Sequence, residues 1–194
     1  MKNIYDQKKA LRANVKALKN AHSREELIQF STQVTASLEQ LDLFRKANTV
    51  MLYHSLPDEV HTLHLIQKYH AEKQIVLPVI VSDKLVLKEY HANEPMNLSS
   101  YGIWEPTGAD FTDFKSISLI IVPGVAFDHH CNRMGRGKAY YDRLLPRLEY
   151  ANKVGVCFDF QLFPTLPADE NDVKMDMVIS QTHLIDLQNS YQKA

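Results

Sequence analysis

A chain of 194 residues with 45% hydrophobic and 23% charged side chains can bury one sizeable core and is too apolar for intrinsic disorder. Its 22 basic and 23 acidic residues leave a formal net charge of -1, which argues against a generally basic nucleic-acid binder. Two cysteines, Cys131 and Cys157, are too few for a disulfide framework or a four-cysteine zinc site. Met1 to Asp6 lacks a signal-peptide core, and no apolar run is long enough to span a bilayer. The expectation is a reduced, cytoplasmic, globular protein: one domain over residues 1–194, a monomer, with neither nucleic acid nor membrane as partner.

In chain order, Leu11, Val15 and Leu18 recur at helical spacing and give an apolar stripe, while Lys8, Arg12, Lys16 and Lys19 gather on another face. Ser23-Arg24-Glu25-Glu26 has the form of a capping box. It predicts a second helix whose apolar face runs through Leu27, Phe30, Val34, Leu38 and Leu41. Thr49 to Tyr53 is a run of strand length broken at Pro57-Asp58, and Thr62 to Ala71 reads as helix. Ile75 to Val79 and Lys84 to Tyr90 are strand candidates. The connection from His91 to Phe114 is long and rich in turn formers, and such loops are often functional. Leu119 to Val122, ending at Pro123-Gly124, reads as a strand buried on both faces. A helix follows near Lys138, with strands at Val154 to Phe158 and Met177 to Ile179. This alternation predicts an α/β fold, a mostly parallel open sheet with helices on both faces.

The segment from Val122 to Asp142 is the most informative, because it leaves a buried strand and enters a helix, where α/β proteins bind ligands. Gly135 and Gly137 permit close backbone approach, and the next helix offers free amides. Arg133, Arg136 and Lys138 add charge that suits a polyphosphate. Asp142 can hold magnesium against the same phosphates, or serve as a helix-terminal carboxylate or ion-pair partner. The glycine spacing is neither a Walker loop nor a dinucleotide fingerprint. His129, His130 and Cys131 are adjacent and rarely converge on one ion, so structural zinc is not expected. Cys157 reads as a small core residue.

This segment resembles the signature of the 5-formyltetrahydrofolate cyclo-ligase family: Pro-Gly, an apolar pair, Phe-Asp, then Gly-x-Arg-Leu-Gly-x-Gly-x-Gly-Tyr-Tyr-Asp. Three further stretches are similar in the same order: Lys8-Lys9-Ala10-Leu11-Arg12, Pro57-Asp58-Glu59-Val60-His61-Thr62, and Pro167 followed by Glu170-Asn171-Asp172 and Met175-Asp176. Cys131 and Ala139 stand where the family has glycine, and either is strained if its position needs positive φ. Ala139 can instead belong to the first helical turn.

The resemblance implies ATP- and magnesium-dependent closure of 5-formyltetrahydrofolate to 5,10-methenyltetrahydrofolate through a phosphorylated formyl group, with release of ADP and phosphate. By carry-over, Lys8, Lys9, Ala10, Leu11 and Arg12 would contact ATP, although spacing alone favours a solvated lysine-rich face. Arg133, Met134, Gly135, Arg136, Gly137, Lys138, Ala139, Tyr140 and Tyr141 would form the nucleotide loop, with Arg136 and Lys138 as the catalytic cations. His54 and Glu59 would bind the folate together with Arg136 to Tyr140, and Glu59 suits a pterin's amino and N–H groups. Asp142 and Asp176 would hold magnesium. Of Tyr140 and Tyr141, one is expected to face substrate and one to pack beneath the loop; Tyr101 and Trp104 are pocket walls or core anchors. The competing readings are an ATP-dependent ligase for another substrate and a non-catalytic nucleotide- or folate-binding module.

Overall fold

The computed structural model describes residues 3–169 and 171–190. Helix α1 (Ile4–Asn20) is opened by Asn3, whose side chain accepts the Asp6 amide at 2.9 Å. Helix α2 (Arg24–Gln40) carries the predicted capping box: the Glu26 amide donates to Ser23 Oγ at 3.2 Å, and the Ser23 amide to Glu26 Oε2 at 2.7 Å. Short helix α3 (Asp42–Lys46) leads to strand β1 (Thr49–Met51), and helix α4 (Leu63–Tyr69) to the hairpin of β2 (Gln74–Val81) and β3 (Lys84–Glu89). The long connection holds a small hairpin of its own, β4 (Met96–Leu98) and β5 (Trp104–Pro106). Then come β6 (Ile117–Pro123), β7 (Ala126–Asp128), β8 (Arg133–Met134), α5 (Tyr140–Leu144), β9 (Asn152–Val156), β10 (Leu162–Phe163), β11 (Met177–Ile179), β12 (Leu184–Asp186) and α6 (Leu187–Ser190).

Seven strands form the main sheet in the order β12-β11-β9-β6-β1-β2-β3. The five inner strands are parallel, and the edge strands β12 and β3 run antiparallel. Alternation along the strands sorts the core onto two faces. Val50, Ile75, Ile121 and Val154 pack with Val34 and Leu38 of α2, Phe44 of α3 and Ile66 of α4. Met51, Val76, Ile120, Val122 and Val178 pack with Leu144 of α5 and with Leu145 and Leu148 beyond it. The predicted helices on both faces are therefore present. No helix among the described residues is long and apolar enough to cross a membrane.

Two features of the sheet position the site. Strand β1 stops at Met51, opposite Val76, so β2 runs on past it and presents Pro78 and Ile80 to a cavity above the carboxyl ends of the strands. Beside this end, β7 pairs with β8 and β10 in a second, small sheet that sequence patterning does not reveal. It is tied by the buried Asp128, whose carboxylate accepts the amides of His130, Asn132 and Leu166, each at 2.9 Å. That hairpin turns at Cys131, buried and at φ 59.

Phe127 of β7 occupies the groove left by two glycines. A Cβ added at Gly155 would lie 2.4 Å from its ring, and one at Gly124 would lie 2.6 Å from it. Since Phe127 is fully buried, neither side can yield. Gly155→Ala is expected to destabilise the chain by about 3 kcal/mol through overpacking. In urea unfolding, adding Phe127→Leu should recover part of that loss rather than add to it.

Candidate active site

Two adjoining cavities, of about 300 and 250 Å³, share Gly135, Ala139 and Asp142 as a common wall. The first, above β2 and β6, is walled mainly by apolar groups, among them Leu56, Pro78, Ile80, Leu85 and Ile103. His54, Glu59 and Tyr101 also line it, as do Arg136, Lys138, Tyr140 and Tyr141 of the predicted nucleotide loop. The second is polar and is lined by Lys8, Arg12, Met134, Gly137, Asp169, Asn171 and Asp172 besides the shared wall.

Helix α1 turns Lys8, Arg12 and Lys19 of its basic face inward and leaves Lys16 in solvent. Lys8 Nζ lies 2.6 Å from Asp169 Oδ2 and 2.5 Å from Asp172 Oδ2. Burial alone would lower the Lys8 pKa, but these two carboxylates outweigh it and raise the pKa. Arg12 donates from Nε to the Gly135 carbonyl at 2.9 Å, which pins the glycine loop to the helix. Lys9 and Ala10 point to solvent, and Leu11 packs beside Val15, Val125 and Met134. Of the five-residue segment carried over, only Lys8 and Arg12 reach a cavity, because a helix directs neighbouring side chains to different faces.

Two turns beyond Arg12, Lys19 is only 7% exposed and donates to the Asp58 carbonyl at 2.5 Å and to its carboxylate at 3.0 Å. Asp58 Oδ1 accepts from Arg136 Nη2 at 2.7 Å. The same Arg136 donates to Glu59 Oε1 from Nη2 at 3.0 Å and from Nε at 3.1 Å, while Glu59 Oε2 accepts the Leu56 amide at 3.1 Å. This chain of charges joins α1, the segment after β1 and the glycine loop. It also occupies both oxygens of Glu59. Lys19 was missed in the sequence because it shares its face with solvent-type lysines; its burial is a property of the packing alone.

The loop itself divides. Arg133 is 4% exposed and lies beneath the loop rather than over it, paired with Asp142 and 5.5 Å above the Tyr141 ring. A Cβ on Gly135 would lie 2.9 Å from its guanidinium, so glycine there is a space requirement. Gly137 sits at φ 93, and Ala139 is left-handed at φ 52, directly before α5 and not in its first turn. Helix α5 is a single turn, so its dipole is slight. Tyr140 and Tyr141 both line the first cavity, and Tyr140 shares a hydrogen bond with Tyr101. Trp104 is exposed and lines neither cavity. His54 is half-buried, and desolvation lowers its pKa against a backbone hydrogen bond at Ser55.

Asp176, the other expected magnesium ligand, stands apart from Asp142. It lines neither cavity; it is fastened to the sheet, accepting the Lys153 amide at 2.7 Å and donating its own to the Lys153 carbonyl at 2.8 Å. Asp172, four residues earlier, faces the second cavity with Asp142 and Asp169. Among the described residues no three metal-ligating side chains cluster into a cage. Glu170 of the same stretch lies outside the described residues.

The family profile of 5-formyltetrahydrofolate cyclo-ligases matches residues 4–181. The chain belongs to this family. It is 34% identical to an Aquifex aeolicus 5,10-methenyltetrahydrofolate synthetase solved by NMR, with a TM-score of 0.84 and 93% of each chain covered. It is 30% identical over 174 residues to a probable 5-formyltetrahydrofolate cyclo-ligase of Schizosaccharomyces pombe, covering 80% of this chain and 85% of the relative. A 5-formyltetrahydrofolate cyclo-ligase of Haemophilus influenzae is 30% identical over 175 residues, 85% of this chain and 89% of the relative. Each of the four motif stretches thus contributes residues to the two cavities: Lys8 and Arg12, Glu59, the loop from Gly135 to Asp142, and Asn171 with Asp172.

Two outcomes follow. Ala139→Gly should raise stability by about 1 kcal/mol, seen as a higher urea midpoint at unchanged slope, because glycine bears no left-handed penalty. Cys131→Gly should give no such gain, since it also empties buried volume. Lys19→Met removes one of the two cations on Asp58. Broken buried pairs cost about 3–5 kcal/mol, but Asp58 is 42% exposed, so screening reduces this to about 1–2 kcal/mol. Burial pushes the Asp58 pKa up, yet Lys19 and Arg136 outweigh it and hold the carboxyl below the ordinary 3.8. Such a group lends stability above its unfolded pKa and loses it as pH falls through the folded value. The stability gap between Lys19→Met and the unaltered chain should therefore be complete at neutral pH and shrink as acidification carries Asp58 through its lowered folded pKa.

Proposed function

We propose that the chain closes 5-formyltetrahydrofolate to 5,10-methenyltetrahydrofolate at the expense of ATP, with the folate in the first cavity and the triphosphate in the second. The observation that carries this reading is the shared wall: an apolar cavity suited to a pterin and a cation-bearing one suited to phosphates meet at Gly135, Ala139 and Asp142.

The formyl oxygen attacks the γ-phosphorus, the bond to ADP breaks, and an iminium phosphate forms. The folate N10 then adds to the activated carbon and gives up its proton. Carbon–oxygen cleavage releases phosphate and leaves the methenyl cation. An amide-like oxygen is a poor leaving group, which is the chemical reason for spending ATP. The protein's part is to position and to stabilise charge. Arg12, with its guanidinium beside Gly137, and Lys8 bind the phosphates. Arg136 and Lys138, on the first-cavity side of the loop, stabilise charge on the transferring group. His54, largely neutral because burial lowers its pKa, and the tyrosines orient the folate.

Magnesium fits the second cavity by donor type, since it favours hard oxygens and takes only one or two carboxylates beside phosphate and water. Asp142 and Asp172 would hold it. When bound it supplies neutralisation of the triphosphate charge.

The test is near-ultraviolet absorbance of the protein with 5-formyltetrahydrofolate and magnesium before and after ATP. An ATP-dependent rise of the methenyl chromophore is expected. Lys138→Ala should lower kcat on the order of 100-fold with KM values little changed, as for loss of a transition-state contact. Arg12→Ala should raise the KM for ATP on the order of ten-fold and leave that for folate unchanged. No rise from a folded chain that binds ATP would point to another substrate. No rise and no ATP binding would point to a non-catalytic module.

A further inference from the structure

Lys19 lines neither cavity, yet it is the one buried charged residue of α1. It also lies beyond Lys8 to Arg12, so the motif resemblance gives it no role. Its ammonium has two acceptors, and both belong to Asp58. The carboxylate of Asp58 is divided between two cations: Oδ2 takes Lys19 at 3.0 Å and Oδ1 takes Arg136 Nη2 at 2.7 Å. Asp58 lies in a turn, with its side chain 42% exposed. Its neighbours are held locally, Glu59 by the Leu56 amide and the Val60 carbonyl by the Tyr53 hydroxyl at 2.8 Å. Asp58 instead is held from a helix, by Lys19. Arg136 is itself 47% exposed on a loop, and so long a side chain keeps its rotamer freedom unless fixed partners remove it. Its Nε and Nη2 are committed to the two carboxylates, while Nη1 makes no hydrogen bond among the described residues. Held along one edge, the guanidinium keeps a donor for a ligand.

We propose that Lys19 is a positioning residue for the transfer step, acting through Asp58 to hold the Arg136 guanidinium at the wall of the first cavity. The inference rests on the folate reading above and deepens it, since that reading has Arg136 stabilise charge on the transferring group. Such stabilisation depends on where the donor stands before reaction, and a misplacement of about 1 Å costs on the order of 100-fold. Glu59 alone would leave Arg136 free to pivot, because both of its contacts converge on one oxygen, Oε1. The bond to Asp58 Oδ1 supplies a second point and fixes the orientation. Lys19 secures that second point twice, by the carboxylate and by the carbonyl, so side chain and backbone of Asp58 are held together. Because Lys19 borders neither cavity, its removal takes no direct contact from ATP or folate. Its effect must travel through the placement of Arg136.

The test is steady-state kinetics of methenyl formation in Lys19→Met, Lys19→Arg, Arg136→Ala and the double variant Lys19→Met/Arg136→Ala, at a temperature where each is folded. The unaltered chain is read first, and its failure to turn over would overturn the folate reading itself. Given turnover, Lys19→Met should lose on the order of ten-fold in kcat, with the KM values for ATP and folate little changed. Lys19→Arg, which can still donate to both acceptors, should recover most of that loss. Arg136→Ala should lose on the order of 100-fold in kcat. Adding Lys19→Met to it should cost nothing further, because the group being positioned is gone, whereas a merely structural lysine would give losses that multiply. Asp58→Asn, which leaves Lys19 its carbonyl acceptor, reads the same link from the other side and serves even where Lys19→Met does not fold. It should match the kcat loss expected of Lys19→Met, again with little change in KM. Undiminished kcat in Lys19→Met or Asp58→Asn, a loss expressed in KM instead, no recovery in Lys19→Arg, or a further loss in the double variant would each overturn the role of Lys19 and leave the folate reading standing.

Discussion

Arg136 bridges two segments that lie more than seventy residues apart in the chain, and the arrangement of both cavities depends on that bridge. Its guanidinium spans Asp58 and Glu59, and Asp58 is gripped from behind by the buried Lys19. The net stabilisation from such a cluster is small, because desolvating the ions offsets much of their attraction. Its contribution is geometric. A buried ammonium must find oxygen acceptors, and Lys19 finds two on one residue, the Asp58 carbonyl and carboxylate. The segment after β1 is thereby fixed to α1. The same helix fixes the glycine loop through Arg12 and Gly135. One helix face thus sets the separation of the two walls, and reacting groups placed by them need not search for each other.

The sequence made the regular elements legible where local chemistry is decisive. The capping box at Ser23, the apolar runs at the centres of β1, β2, β6, β9 and β11, and the glycine loop before α5 stand where their residues predict, because caps, side-chain period and glycine act over a few neighbours. The inward turn of α1 was not legible: periodicity separates an apolar stripe from a basic one but does not say that Lys19 is buried while Lys16 is exposed. That Asp172 faces a cavity and Asp176 does not was equally hidden. The stretch from Asp169 to Asp176 has no regular period, and only the strand register of β11 shows that Asp176 is committed to Lys153.

Two non-glycine residues with positive φ, Cys131 and Ala139, flank the loop, and their tolerance follows from what surrounds them. Cys131 turns a hairpin that Asp128 fastens with three backbone amides, and its side chain fills core volume, so burial compensates the backbone. Ala139 has no such compensation. It is held left-handed because the chain on either side is fixed, by Arg12 on Gly135 before it and by the Arg133–Asp142 pair after it. Strain of this kind persists only where neighbours over-determine the backbone. A residue of the shared wall is therefore kept in an unfavourable conformation by the contacts that shape both cavities.

The contrast between the cavities bears on how transfer can occur. In the proposed reaction water would compete for the phosphorylated intermediate in an open polar site, so the reactive carbon would gain from apolar surroundings. Phosphates, conversely, need the cations that an apolar pocket would penalise. Placing the apolar groups around Ile80 and Ile103 and the cations Lys8 and Arg12 on opposite sides of one glycine-bearing wall satisfies both demands at once. Glycine at 135 keeps that wall thin, since even a methyl group would collide with the Arg133 guanidinium beneath it. Arg133 is in turn neutralised by Asp142. Asp142 thus borders both cavities while holding in place the guanidinium on which the loop rests.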